Sequence, residues 1–108
     1  IEVTRDIVTE SDDLFALEVK GDSMIDELIR DGDIVIMRRT QEARNGEMVA
    51  VWLTDKDETT LKYFYREGNG KNARIRLQPA NPTMDPIYVD SSSDIEIQGS
   101  VVLVIRQM

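Results

Sequence analysis

Hydrophobic residues along this chain fall mostly in short runs with strand-like spacing, separated by polar turns. Leu14-Phe15-Ala16-Leu17-Glu18-Val19 is the first such run. The spacing then changes. Met24, Ile25, Leu28 and Ile29 form a one-face helical pattern over about two turns. Asp31-Gly32-Asp33 predicts a turn, since Gly tolerates positive φ and Asp side chains bond nearby amides. Strands are predicted at Ile34–Met37, at Met48–Leu53 after an Asn45-Gly46 hairpin signal, and at Thr59–Arg66 after the polar turn Asp55–Glu58. Gly68-Asn69-Gly70 closes that strand, and Ala73–Leu77 continues the pattern. Pro79, Pro82 and Pro86 mark an irregular connection to a short strand at Ile87–Val89. The last strands lie within Ile95–Ile105, broken near Gly99. Residues 1–13 lack periodicity and read as a lead-in; 14–108 read as one mainly β domain of about seven short strands with a short helix after Ser23. Val101–Ile105 is apolar on both faces and is expected to be buried on both, with another copy of the chain as one source of cover.

Composition narrows the chemistry. The 108 residues suffice for one core. With no Cys, disulfides, redox chemistry and thiolate-bound metal are excluded. With no His, a Ser-His-Asp triad and His-bound zinc are excluded as well. Any general base must be a carboxylate, a Lys, a Tyr or a chain terminus. Asp and Glu outnumber Lys and Arg 21 to 13, a net charge of −8, which argues against nucleic acid as a direct partner of this segment. The basic cluster Lys71–Arg76 reads as a solvated hairpin. No apolar run has membrane-spanning length and the first residues show no signal-peptide pattern, so the expectation is a cytoplasmic protein with no membrane partner and no cofactor or metal.

The stretch Lys20-Gly21-Asp22-Ser23-Met24 sits where strand spacing gives way to helical spacing. Ser23 followed by Asp26 fits a capping box, and spacing alone favours that reading. A nucleophile uses the same geometry differently: amides at the helix start can face an oxyanion, and Gly21 allows a substrate backbone close approach. Spacing leaves both readings open. Of the four Lys, Lys56 and Lys71 lie in polar turns and Lys20 ends a strand. Lys62 sits mid-strand in Thr60-Leu61-Lys62-Tyr63-Phe64, where desolvation can lower an amine pKa; the alternative is a stem that packs while its amine reaches water. Asp31 with Asp33, and Asp55, Asp57 and Glu58, match no EF-hand spacing and read as solvated turns. Trp52 reads as core.

As an ordered series, Leu14 to Met24, Asp31-Gly32-Asp33, Asn45-Gly46, Thr60 to Phe64, Leu77-Gln78-Pro79-Ala80-Asn81-Pro82 and Gly99 to Arg106 resemble the C-terminal domain of the LexA repressors. The resemblance implies a self-cleaving peptidase in which Ser23 attacks an Ala-Gly bond and Lys62 is the general base. By position it implies the backbone amides of Asp22 and Ser23 as oxyanion donors. It further implies cleavage stimulated by RecA filaments on single-stranded DNA and a homodimer built with the C-terminal strand. Operator DNA would be bound only through a separate N-terminal domain. No Ala-Gly dipeptide occurs in the 108 residues, so the expectation is a cleavage fragment or a chain lacking the earlier part. The alternatives are a UmuD-like mutagenesis factor and a catalytically silent dimerisation module of the same fold. Signal peptidases share the Ser/Lys pairing but need a membrane anchor.

Overall fold

A computed structural model describes residues 2–4, 13–21, 23–90 and 94–106. The fold is mainly β, as expected. Among the described residues, eight strands, all antiparallel, form one sheet in the order β1-β2-β3-β8-β4-β5-β6-β7. They are β1 (Glu2–Thr4), β2 (Leu14–Glu18), β3 (Ile34–Arg39), β4 (Glu47–Leu53), β5 (Glu58–Glu67), β6 (Arg74–Gln78), β7 (Ile87–Val89) and β8 (Ile95–Ile105). Among the described residues, helical structure is limited to single 3-10 turns at Ile25–Glu27 and Gly70–Asn72. Glu2–Thr4, within the stretch read as a lead-in, pairs with β2 as an edge strand.

Alternation places apolar side chains on both faces of the sheet. Phe15, Leu17, Val35, Met37, Ala50 and Leu61 build one core cluster, which Met24 joins from the loop after β2. Val49, Val51, Leu53, Phe64, Leu77 and Ile95 build a second. β4 therefore serves both, through Ala50 on one side and Val49, Val51 and Leu53 on the other. Trp52, expected in the core, is only half-buried, because it points away from the face that Val51 and Leu53 fill.

Two local readings are corrected by the topology. Asn45-Gly46 does not turn β3 back onto β4, because β8 lies between them. The pair instead braces β5: Gly46 N–H donates to the Phe64 carbonyl (2.8 Å), and Asn45 Oδ1 accepts from Arg66 N–H (2.7 Å). β8 is one continuous strand of 11 residues rather than two, with Gly99 inside it. Its register shifts once against β3 and once against β4, which lets a single strand serve both neighbours. Gly99 sits at a close approach between β8, β3 and the Phe15 ring. A Cβ there would lie 2.8 Å from the Phe15 ring and 2.8 Å from the Arg38 carbonyl.

Within the single chain, the C-terminal half of β8 is open. β4 pairs with β8 only as far as Ser100, so beyond that point β3 alone lies alongside. Val102, Leu103, Val104 and Ile105 are 44%, 46%, 38% and 39% exposed rather than buried on both sides.

Gly99→Ala forces either the Phe15 ring or the β3 backbone to move. It is expected to lower stability by about 1–3 kcal/mol, read as a lower urea midpoint with little change in slope.

Candidate active site

Ser23 lies just beyond the end of β2, and Lys62 lies in β5 between β4 and β6. The fold brings them together across 39 positions of sequence: Lys62 Nζ is 3.0 Å from Ser23 Oγ. Lys62 is paired with Val49 of β4, and its residue exposure is only 6%. Two further groups meet the amine, the Thr60 hydroxyl at 2.6 Å and the Leu61 carbonyl at 3.2 Å. Thr60 was not singled out from the sequence. Its signal was its place two residues before Lys62, which puts both side chains on one face of the strand.

Burial pushes the Lys62 pKa down from 10.5 to about 8. Glu58 opposes that shift and Lys56 adds to it, both through charge. With a pKa near 8, about one molecule in ten is neutral at pH 7, against about one in a few thousand for a solvated lysine. A neutral amine has two N–H groups and one lone pair. The Leu61 carbonyl can only accept, and Thr60 can take the second proton. The lone pair is then available to the Ser23 hydroxyl, the arrangement a serine needs in order to lose its proton.

The loop carrying Ser23 has little regular structure of its own and is held from outside. In a capping box the Asp26 amide would bond to Ser23 Oγ; here it donates to the Ala80 carbonyl (2.7 Å). The cap geometry is therefore replaced by a tertiary contact, and the Ser23 hydroxyl meets Lys62 instead. Met24 is buried, and its sulfur accepts from Ala80 N–H at 3.4 Å. Tyr63, next to Lys62 on β5, donates its hydroxyl to Glu27; burial first, then that carboxylate, raises the phenol pKa to about 12. Asp31 Oδ1 accepts from Gly21 N–H (2.7 Å), and Asp33 Oδ2 accepts from Arg30 N–H (2.8 Å). Gly21 has φ +87°, a conformation that would strain a residue with a side chain.

The other predicted residues fall as follows. Asp22 lies outside the described residues. Lys20 is exposed beside Glu18 (3.2 Å), and Lys56 and Lys71 are exposed in turns, as their positions suggested. Among the described residues, no group of three or more acidic side chains converges as a metal site. No helix among them is long and apolar enough to cross a membrane.

A groove of about 280 Å³ opens over the pair, lined by Val19, Gly21, Ser23, Glu58, Lys62 and Met84 among others. A larger one of about 460 Å³ lies over Phe15, Leu17, Arg39 and Gln98, and Thr59 borders both. Of these two grooves, the smaller holds both the buried amine and the hydroxyl.

The peptidase S24-like family model matches residues 1–102. The chain belongs to that family. Among its relatives, the LexA repressor of Roseiflexus sp. (strain RS-1) is 57% identical over 88% of this chain and 41% of that protein. The LexA repressor of Herpetosiphon aurantiacus is 53% identical over 89% of this chain and 42% of that protein. That of Staphylococcus aureus (strain Newman) is 46% identical over 93% and 44%. The resemblance to a LexA C-terminal domain read from the sequence therefore stands, and the chain spans about two-fifths of the length of these relatives.

Holding an amine below its solution pKa costs folding stability. The folded state loses its proton near pH 8 and the unfolded state only near 10.5, so wild-type stability rises with pH between those values. The cost is largest below pH 8, about 3 kcal/mol. Lys62→Met is thus expected to be more stable than wild type at pH 7, with an advantage that shrinks steadily between pH 8 and 10.5. Urea titrations at several pH values measure this, and an advantage independent of pH would mean that Lys62 titrates normally.

Proposed function

We propose that the chain is the catalytic and dimerisation domain of a LexA-type transcriptional repressor, with Ser23 as nucleophile and Lys62 as general base. The observation that supports this most is the 3.0 Å contact between a serine hydroxyl and a buried amine with pKa about 8, in a chain without His or Cys. Membership of the S24-like family points to the same chemistry.

In the proposed reaction the neutral Lys62 amine takes the Ser23 proton as Oγ adds to the carbonyl carbon of an Ala-Gly bond. The oxyanion is met by the backbone amides of Asp22 and Ser23. The tetrahedral intermediate collapses with cleavage of the C–N bond, and the Lys62 ammonium returns its proton to the departing amine. Water, deprotonated by Lys62, then hydrolyses the Ser23 ester. The net change is hydrolysis of one peptide bond, with hydroxyl and amine restored. That bond is not among the 108 residues, since they contain no Ala-Gly pair, and in a longer repressor it would be presented to the groove in cis. RecA filaments on single-stranded DNA stimulate the step in this reading, and a separate N-terminal domain binds operator DNA.

The exposed apolar end of β8 supports a homodimer. Val102 to Ile105 combine apolar side chains with one unpaired strand edge, a surface that a second copy can cover by strand addition.

Two measurements test this reading. In a protein that includes the Ala-Gly bond, the first-order cleavage rate should climb about tenfold per pH unit below pH 8 and level off above it. Ser23→Ala and Lys62→Ala should each abolish cleavage; a rate flat in pH, or retained in either variant, would rule the mechanism out. Separately, Leu103→Asp should turn the dimer into a monomer in sedimentation experiments while leaving the far-UV spectrum unchanged.

A further inference from the structure

Arg106, the residue after β8, reaches back 78 positions to the loop that begins at Ser23. Its Nη2 donates to the Leu28 carbonyl at 2.8 Å, and its Nε lies 3.9 Å from Asp33 Oδ1. The two acceptors sit at different places in that loop. Leu28 follows the 3-10 turn and has φ +60°, a left-handed conformation unusual for a branched residue, so something outside the turn must hold it. Asp33 is buried and stands just before β3; its other carboxylate oxygen accepts from Arg30 N–H, and its carbonyl accepts from Val19 N–H at 2.8 Å. A planar guanidinium can address both acceptors at once, and a lysine amine would serve one of them well.

The position of Arg106 gives the contact a second meaning. It adjoins the exposed apolar stretch Val102–Ile105, and its own side chain is 49% exposed. Covering that stretch removes water from around the guanidinium, and in the lower local dielectric its hydrogen bond to Leu28 and its charge attraction to Asp33 strengthen.

We propose that Arg106 is a positioning residue that links the open end of β8 to the Ser23 loop, so that a second copy of this chain covering β8 tightens the placement of Ser23 against Lys62. The inference rests on the Ser23/Lys62 reading and adds a form of regulation to it: the dimer is the more reactive species.

The test uses the 108-residue chain and a phosphonofluoridate probe, which reports Ser23 reactivity by mass without needing a peptide substrate. Labelling is followed below and above the dimerisation midpoint, together with the amide 1H–15N shifts of Ser23 to Ile29. Wild type should label faster as a dimer, with those amides shifting on dilution. Arg106→Ala, compared at concentrations where each protein is fully dimeric, should label roughly tenfold more slowly and lose the dependence on concentration. Arg106→Lys should regain part of the rate. Labelling and amide shifts that respond to dilution alike in wild type and Arg106→Ala would overturn the link. If wild type is not labelled at all, the nucleophile reading fails, and the amide shifts decide the Arg106 link alone: shifts on dilution in wild type but not in Arg106→Ala support it, and equal behaviour overturns it.

Discussion

The site depends on one constraint: an ammonium group is held in a strand interior where water cannot solvate it well. β5 is paired with β4 from Glu58 to Phe64 and with β6 from Tyr63 to Glu67. The backbone is therefore held on one edge at Lys62 and on both edges from the next residue, which limits how far Lys62 can move to relieve its burial. Leu61 and Phe64 are buried beside it along the strand. Its polar contacts are Ser23, Thr60 and the Leu61 carbonyl, none of which is a carboxylate that would stabilise the charge strongly. The outcome is a lysine near the middle of the useful range. A much higher pKa would leave the amine protonated at neutral pH, and a much lower one would make it a poor acceptor of the serine proton.

Rigidity is distributed unevenly around that lysine. The proposed base sits on a strand paired with its neighbours, whereas the proposed nucleophile rides on a loop whose only regular element among the described residues is a three-residue 3-10 turn. A turn so short supplies little order by itself. Order comes instead from partners far away in sequence: Ala80 on Asp26, Tyr63 on Glu27, Arg106 on Leu28. Ala80, Tyr63 and Arg106 belong to three separate parts of the fold, so the serine's position reflects the state of each.

This division explains what could be read from the sequence. Features governed by local pattern were legible: the strand runs, and the polar turn around Gly32, where Asp33 does bond the Arg30 amide. The pairing of Ser23 with Lys62 was implied by the resemblance to a LexA C-terminal domain, since spacing alone left both residues open. Features governed by sheet order were not. Insertion of β8 between β3 and β4 changed the role of Asn45-Gly46, merged two predicted strands into one and left Val102–Ile105 open, and no local spacing encodes that insertion. The capping-box pattern at Ser23 and Asp26 misled for a related reason. The pattern describes what the Asp26 amide can do locally, and a better-placed carbonyl at Ala80 was available only once the chain had folded. Asp31 behaves similarly, since its acceptor bond goes to Gly21, ten residues back, rather than to a neighbour in its own turn.

The surface charge then has a narrower role than the net value of −8 suggests. Glu58 and Lys56 act on Lys62 in opposite directions, so desolvation decides the direction of its shift. Charges at the groove's rim are screened by salt, but burial is not. A base set by packing keeps its pKa across ionic conditions in which a base set by neighbouring charges would drift. For a site whose partner groups arrive from separate parts of the fold, that leaves geometry, rather than solution conditions, as the variable that determines whether serine and lysine meet.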